Sequence, residues 1–312
     1  MEKSLLPISR GTWLYVGGIG PGNYTRIKDA VDNASDGDTV FVYSGIYQEE
    51  KILVNHSISI IGENKNTTIT DSSDYIFSLN KNFINITGFT IQHGYGIWIR
   101  SHYDKIFNNI FTNLISAIIA NSTCQIENNI FFNINGTAIL CSMYGNGYDN
   151  VIQNNTIIRC ELGINLDEEV SNVIQNNIIV NNTQAIVIHA SEQSVIYHNI
   201  IRNNTKDGIY LEVSDFDKIT SNNITWNGKG ITLLMVNGDL ISKNNIYSNK
   251  INTFFITLPF FPNFFLRNYW GTRLFPIKLI FGLAMIPFGY FLNIYIPWFN
   301  SDLFPRWKPY NF

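Results

Sequence analysis

Asp167, His189 and Glu212 are the residues whose type and spacing best suit chemistry. They recur about every 22 residues, a period typical of repeat architectures. An imidazole between two carboxylates can do general acid–base work on a sugar, or the acids can hold a cation. The segments that follow add Glu168, Glu169, Glu192, Asp215 and Asp217, expected on the same side. Tyr144 and Tyr148, in the long segment Met143 to Asp149, and Tyr210, two residues before Glu212, supply aromatic faces on which a sugar ring could rest. Trp98 and Arg100 fall in the corresponding positions of an earlier repeat. The set read as ligand-binding is therefore Tyr144, Tyr148, Tyr210, Trp98, Arg100, Glu192 and Asp215. The catalytic reading rests on Asp167, His189 and Glu212 alone. The bland alternative is that an exposed column has to be polar somewhere, and Asp, His and Glu are ordinary occupants of one.

Elements that repeat must carry these residues. Asn108-Asn109-Ile110, Asn128-Asn129-Ile130, Asn154-Asn155-Thr156, Asn176-Asn177-Ile178, Asn222-Asn223-Ile224 and Asn244-Asn245-Ile246 recur along the chain, with His198-Asn199-Ile200 and Asn268-Tyr269-Trp270 as worn copies. A closing Asn recurs as Asn113, Asn133, Asn181, Asn203, Asn227 and Asn249. Between the pairs, Ile, Val, Phe and Thr alternate with polar residues, which is the period of strands and not of helices. A repeat of this length holds three short strands and three turns. That is one coil of a parallel β-helix, each strand pairing with its copy about 4.8 Å above. Asn tolerates the left-handed backbone and can bond along the stack, so Asn ladders at the turns are expected.

One strand recurs from Gly96-Ile97-Trp98-Ile99 to Gly230-Ile231-Thr232-Leu233, with the Ile after the small residue facing inward. Two outward columns follow. The first is Trp98, Ile119, Leu140, Asn165, Val187, Tyr210 and Thr232; the second is Arg100, Asn121, Ser142, Asp167, His189, Glu212 and Leu234. This register puts Asp167, His189 and Glu212 on three consecutive coils, about 5 Å apart. A further inward ladder is Ile106, Ile126, Ile152, Ile174, Ile196, Ile219 and Ile241.

The rest of the chain bounds the reading. The net charge is −3 and no basic run occurs, so a nucleic-acid partner is excluded. Cys124, Cys141 and Cys160 make an odd set with no close pair and read as buried thiols. Residues 1–22 form a lead-in without a clear signal peptide, although sequons such as Asn55, Asn66, Asn121, Asn135 and Asn223 agree weakly with an extracellular or cell-surface location. Ile27, Ala30, Val31 and Ala34 make one apolar stripe, which predicts a helix over Tyr24–Ala34 capped by Asn23 or Thr25 and closing one end of the core. Residues 251–312 break the repeat, with 271–312 as a separate C-terminal segment. The uncharged stretch 279–299 is long enough to cross a bilayer, yet its Pro and Gly residues suit a packed cap. An aromatic C-terminal cap and a membrane-associated segment both stay open.

Asn23 to Val31, Gly37-Asp38-Thr39-Val40-Phe41-Val42 and Gly45-Ile46-Tyr47-Gln48-Glu49 resemble the opening of right-handed parallel β-helix proteins of the pectin-lyase-like superfamily, and within it NosD-like proteins. The resemblance covers roughly residues 15–270. It implies an all-β, right-handed parallel β-helix over 23–270 with an N-terminal capping helix. Pectate-lyase-like members imply an Arg base and calcium held by acidic side chains, for which Arg100, Arg159 and Arg202 are available; no motif selects one. Calcium is the one cofactor so implied. The NosD resemblance implies a copper-maturation accessory, with Cys141 and Met143 as soft donors, but His56, His93, His102, His189 and His198 show no metal spacing. Four readings follow: an exported polysaccharide-binding β-helix without a clear catalytic motif, a polysaccharide lyase or hydrolase, a structural or protein-binding β-helix using the Trp98 column, and the copper accessory.

Overall fold

The computed structural model describes residues 11–49, 51–70, 74–142, 148–257, 263–271, 278–288, 292–302 and 304–312. It is a parallel β-helix of about eleven turns. Each coil contributes three short strands, as in Gln184–His189, Val195–Tyr197 and Ile200–Arg202. Strands of the first kind stack into one face and those of the second kind into another. The third kind forms a separate ten-stranded sheet from Gly45–Gln48 to Asn245–Tyr247. Pairing between coils is parallel, and corresponding Ile residues meet rung by rung. On the first face Ile97, Ile118, Ile139, Ile164, Ile186, Ile209 and Ile231 are in register. On the second, Ile106 to Ile241 follow the expected ladder. All of these side chains are fully buried. Burying one such side chain stabilises by about 1.5–3 kcal/mol, so the stack is the main source of cohesion. On the third face Phe111 and Phe131 stack inside the core with ring centroids 4.9 Å apart.

The turns explain the Asn usage, with a correction. Asn109, Asn129, Asn155, Asn177, Asn199, Asn222, Asn244 and Asn268 form one buried ladder. Each side-chain oxygen accepts the backbone N–H of the preceding rung, as Asn177 does from Asn155 at 2.9 Å. Each amide nitrogen donates onward to the next rung and back to a carbonyl, as Asn177 does to Asn199 and Ile152. The residue before each rung holds a left-handed backbone, with φ of 55° at Asn108, Asn154, Asn176 and His198. In the later coils Ser221 and Lys243 take that place, so Asn223 and Asn245 begin the next strand and are not the rungs. Only the buried rung needs an amide; the left-handed residue before it stands at the surface. The closing ladder shifts likewise: Asn182, Asn204, Asn227 and Asn249 bond to one another, whereas Asn181 and Asn203 hold the left-handed turn.

Both ends differ in detail from expectation. The helix is shorter, Ile27–Asp32, with Ile27, Ala30 and Val31 buried. Neither Asn23 nor Thr25 caps it. The buried carboxylate of Glu49 does, accepting the Ile27 N–H at 2.7 Å, because a helix N-terminus has unpaired donors and positive potential to offer a desolvated acid. At the other end Lys278–Phe288 and Leu292–Asp302 form an antiparallel hairpin. It joins the last coil through Leu283 opposite Ile256, Ala284 opposite Thr257 and Asp302 opposite Phe265. Among the described residues no helix is long and apolar enough to cross a membrane. Asp302 ends the Asn ladder, accepting from Asn268 N, Asn268 Nδ2 and Trp270 Nε1 at 2.8, 3.0 and 3.1 Å.

Candidate functional site

The first face ends at a corner where Asp167, His189 and Glu212 occupy one register line, Asp167 opposite His189 and His189 opposite Glu212. Strand parity places them. Leu166, Ile188 and Leu211 immediately before are buried, so the following side chain points out. Asp167 Oδ1 lies 2.8 Å from His189 Nδ1, with both side chains about half exposed. With that nitrogen engaged, Nε2 is the one offered to a ligand. The Tyr210 hydroxyl donates to Glu212 Oε2 at 2.9 Å. Partial burial, then the Glu212 carboxylate and Asp207, push the Tyr210 phenol up to about 12. It therefore stays a donor across the neutral range.

A second line lies on the turn just beyond, where Tyr148, Val170, Glu192 and Asp215 bridge coil to coil. Tyr148 and Glu192 are exposed, and Asp215 is held by Asn237 N and Nδ2 at 2.7 and 3.1 Å. Tyr144 and Met143 lie outside the described residues. The structure thus brings together Asp167, His189, Glu212 and Tyr210, with Tyr148, Glu192 and Asp215 beside them. Trp98 and Arg100 stand apart. Arg100 is three rungs below Asp167, about 14 Å away at the spacing of a parallel stack. Its guanidinium sits 4.7 Å over the Trp98 ring, which also packs on Tyr75 at 5.7 Å. The described end of the C-terminal tail lies against the last coils through Asn245 and Tyr310, and Phe312 meets His198 at 6.0 Å.

Two acids read as lying on the same side are in fact inside. The left-handed residue Glu168 reverses the side-chain parity, so Glu169 points into the core. It accepts from Asn150 Nδ2 at 3.0 Å, and burial pushes its carboxyl up to about 8. Asp217 is also buried, taking the Ser194 N–H at 2.7 Å and the Ser214 hydroxyl. Burial raises it to about 7 and its neighbour Asp239 to about 9. The corner has a further cost: Ala190, Val213 and Met235, next in line after the site strands, hold φ of 47°, 52° and 52°. For β-branched Val213 that backbone is strained.

Residues 142–272 match the family model described as periplasmic copper-binding protein (NosD). That segment is similar to NosD, and the chain as a whole is built on a parallel β-helix. The A-module of the mannuronan C-5 epimerase AlgE4 from Azotobacter vinelandii is similar to it with a TM-score of 0.58 and 13% identity, over 82% of this chain and 88% of that one. The complex of XylC with xylose gives 0.56 and 12%, over 80% and 76%. The Dettilon tailspike protein gives 0.62 and 11%; the match covers 78% of this chain but 58% of the tailspike. At these identities the likeness shows the fold alone. No curated protein matches the chain. The NosD-like segment contains the whole of the Asp167–Asp215 region.

The described residues do not fit copper. Cys124, Cys141 and Cys160 are free thiols turned into the core. Contact with Cys124 and burial push Cys141 well up, and burial takes Cys160 to about 12, which disfavours the thiolate a soft metal needs. His189 is engaged by Asp167, and no group of three or more His, Cys, Asp or Glu among the described residues is arranged to hold a metal ion.

Proposed function

We propose that this protein is an exported β-helix that binds polysaccharide along the corner formed by Asp167, His189 and Glu212. The observation that carries the reading is the in-register line itself. An imidazole is oriented by one carboxylate, the next carboxylate is held by a tyrosine, and the set is solvent-accessible on three consecutive coils. A linear polymer meets such a line as a repeated set of polar contacts, since the rung spacing of about 4.8 Å is comparable to the length of a sugar residue. Tyr148 supplies a partly exposed ring beside it. The polysaccharide-related proteins among the structural neighbours are consistent with this use of the fold.

A second reading, a lyase or hydrolase, is favoured by the Asp167–His189 contact, which fixes an imidazole as an acid–base group would require. A panel of polysaccharides that includes polyuronides, with and without calcium, separates the two. Retention without new chain ends supports a binding module. New reducing or unsaturated ends that vanish when Asp167, His189 and Glu212 are replaced by Ala make it an enzyme. Indifference to every glycan overturns both and leaves the Trp98 patch as the surface to pursue with protein partners.

A further inference from the structure

We infer that the C-terminal end of the solenoid seats on an anionic lipid surface, with the hairpin lying in the boundary between headgroups and acyl chains. The run from Leu279 to Phe299 carries no charged residue. Its first strand buries Ile280 and Ala284 against the last coil, while Leu279 and Phe281 on the other side are 47% and 71% exposed. Beyond Ala284 the described residues of the two strands pair with each other, down to Phe288 opposite Leu292. With Trp298, the exposed side chains of Leu279 and Phe281 on an uncharged element form an apolar interaction surface.

The neighbouring surface says which kind. A pocket of about 660 Å³ is lined by Lys243, Arg267, Arg306 and Lys308 together with Tyr310, with no carboxylate among its described lining residues. It adjoins the base of the hairpin, because Asp302, the last residue of the second strand, accepts the Arg267 N–H at 2.9 Å. Arg306 stacks on the Tyr310 ring at 4.1 Å, and its backbone is held by Asn268. All four cationic side chains are exposed. In a chain whose net charge is −3, this concentration of positive charge beside an uncharged aromatic hairpin matches a bilayer with anionic headgroups. Trp298, exposed on the second strand, is of a residue type that favours that boundary. The hairpin does not cross the bilayer by itself: an open two-stranded edge leaves backbone N–H and C=O groups unpaired, which hydrocarbon does not tolerate. The protein lies on the membrane and keeps the solenoid in water.

Vesicle flotation of the whole protein tests this, using phosphatidylcholine vesicles and vesicles in which part of the phosphatidylcholine is replaced by phosphatidylglycerol. The wild type floats with the anionic vesicles, and added salt weakens its capture. Arg306→Glu with Lys308→Glu lowers that capture by about tenfold or more. Leu279→Asp with Phe281→Asp abolishes capture without moving the melting midpoint, since both side chains are exposed. Failure of the wild type to float, or wild-type flotation of the Leu279→Asp, Phe281→Asp variant, overturns the proposal. So does capture by neutral vesicles equal to that by anionic ones. A concentration-dependent dimer that these two Asp substitutions dissolve, with no flotation of the wild type, overturns it in favour of a second copy of the chain.

Discussion

Two corners of the same solenoid are built in opposite ways. At the corner that runs from Asn109 to Asn268, every rung is an amide and each rung bonds both its neighbour and a carbonyl. At the corner beneath the candidate site the rungs are Asp104, Cys124, Asn150, Asn172, Ser194, Asp217, Asp239 and Asn263, linked by fewer bonds. Buried atoms there lack partners, among them Glu169 Oε1, Asn172 Nδ2 and Asp239 Oδ2. A repeat needs one good seam to keep its coils in register. The other corner is then free to hold acids, strained turns and a longer segment before Tyr148, and that is where the candidate site lies. Its departures from the repeat are costs that uniform packing would have removed.

The comparison breaks most severely at the good seam. Asn177→Ala removes the acceptor of the Asn155 N–H and the donor to the Ile152 carbonyl, both in the core. Each stranded group costs about 1–3 kcal/mol, so a loss on the order of 3 kcal/mol or more in urea unfolding is expected. A change below about 1 kcal/mol would mean that the ladder is decoration.

At the mixed corner the same kind of change has the opposite sign. Asp239 ionises near 3.8 when unfolded but stays protonated in the fold up to about 9, because of burial and of Asp217 nearby. A raised pKa of this kind stabilises the fold fully below about pH 4 and is lost as pH rises toward 9. Asp217, raised to about 7, adds to the same slope. Asp239→Asn supplies the amide that Asn172 and Asn263 already provide on this ladder. It is expected to raise the thermal midpoint at pH 8, by the equivalent of about 1–3 kcal/mol, and to leave it unchanged at pH 4. An equal shift at both pH values would show that the carboxyl does not titrate as described. A smaller gain is expected from Val213→Asn, about 1 kcal/mol by thermal unfolding, since Asn tolerates the left-handed backbone that strains Val213. Loss of stability there would show that the Val213 side chain has a packing role.

How much of this could be read from the residues follows from the same contrast. Within strands the period of two is unambiguous, so the columns headed by Trp98 and Arg100 were legible, and the line Asp167, His189, Glu212 with them. Parity does not survive a corner. One left-handed residue at Glu168 turns Glu169 inward, and Ser221 and Lys243 displace the Asn rung by one position. Neither shift carries a compositional signal, since Asn suits both the turn and the rung. The Glu49 cap of the helix was illegible for another reason: it joins residues 22 apart that only the coil geometry brings together.

The central claim is that Asp167, His189 and Glu212 form a working surface, not an idle polar column. The pair contact among them is exposed, and such contacts contribute only about 0–1 kcal/mol to stability. Function and folding should therefore separate here as they cannot at Asn177. The direct measurement is retention of the protein on immobilised polyuronide, wild type against the Asp167→Ala, His189→Ala, Glu212→Ala variant, with melting midpoints recorded alongside. The account predicts strong retention of the wild type, its loss in the variant, and near-equal midpoints. Equal retention of the two proteins, at equal midpoints, would contradict it.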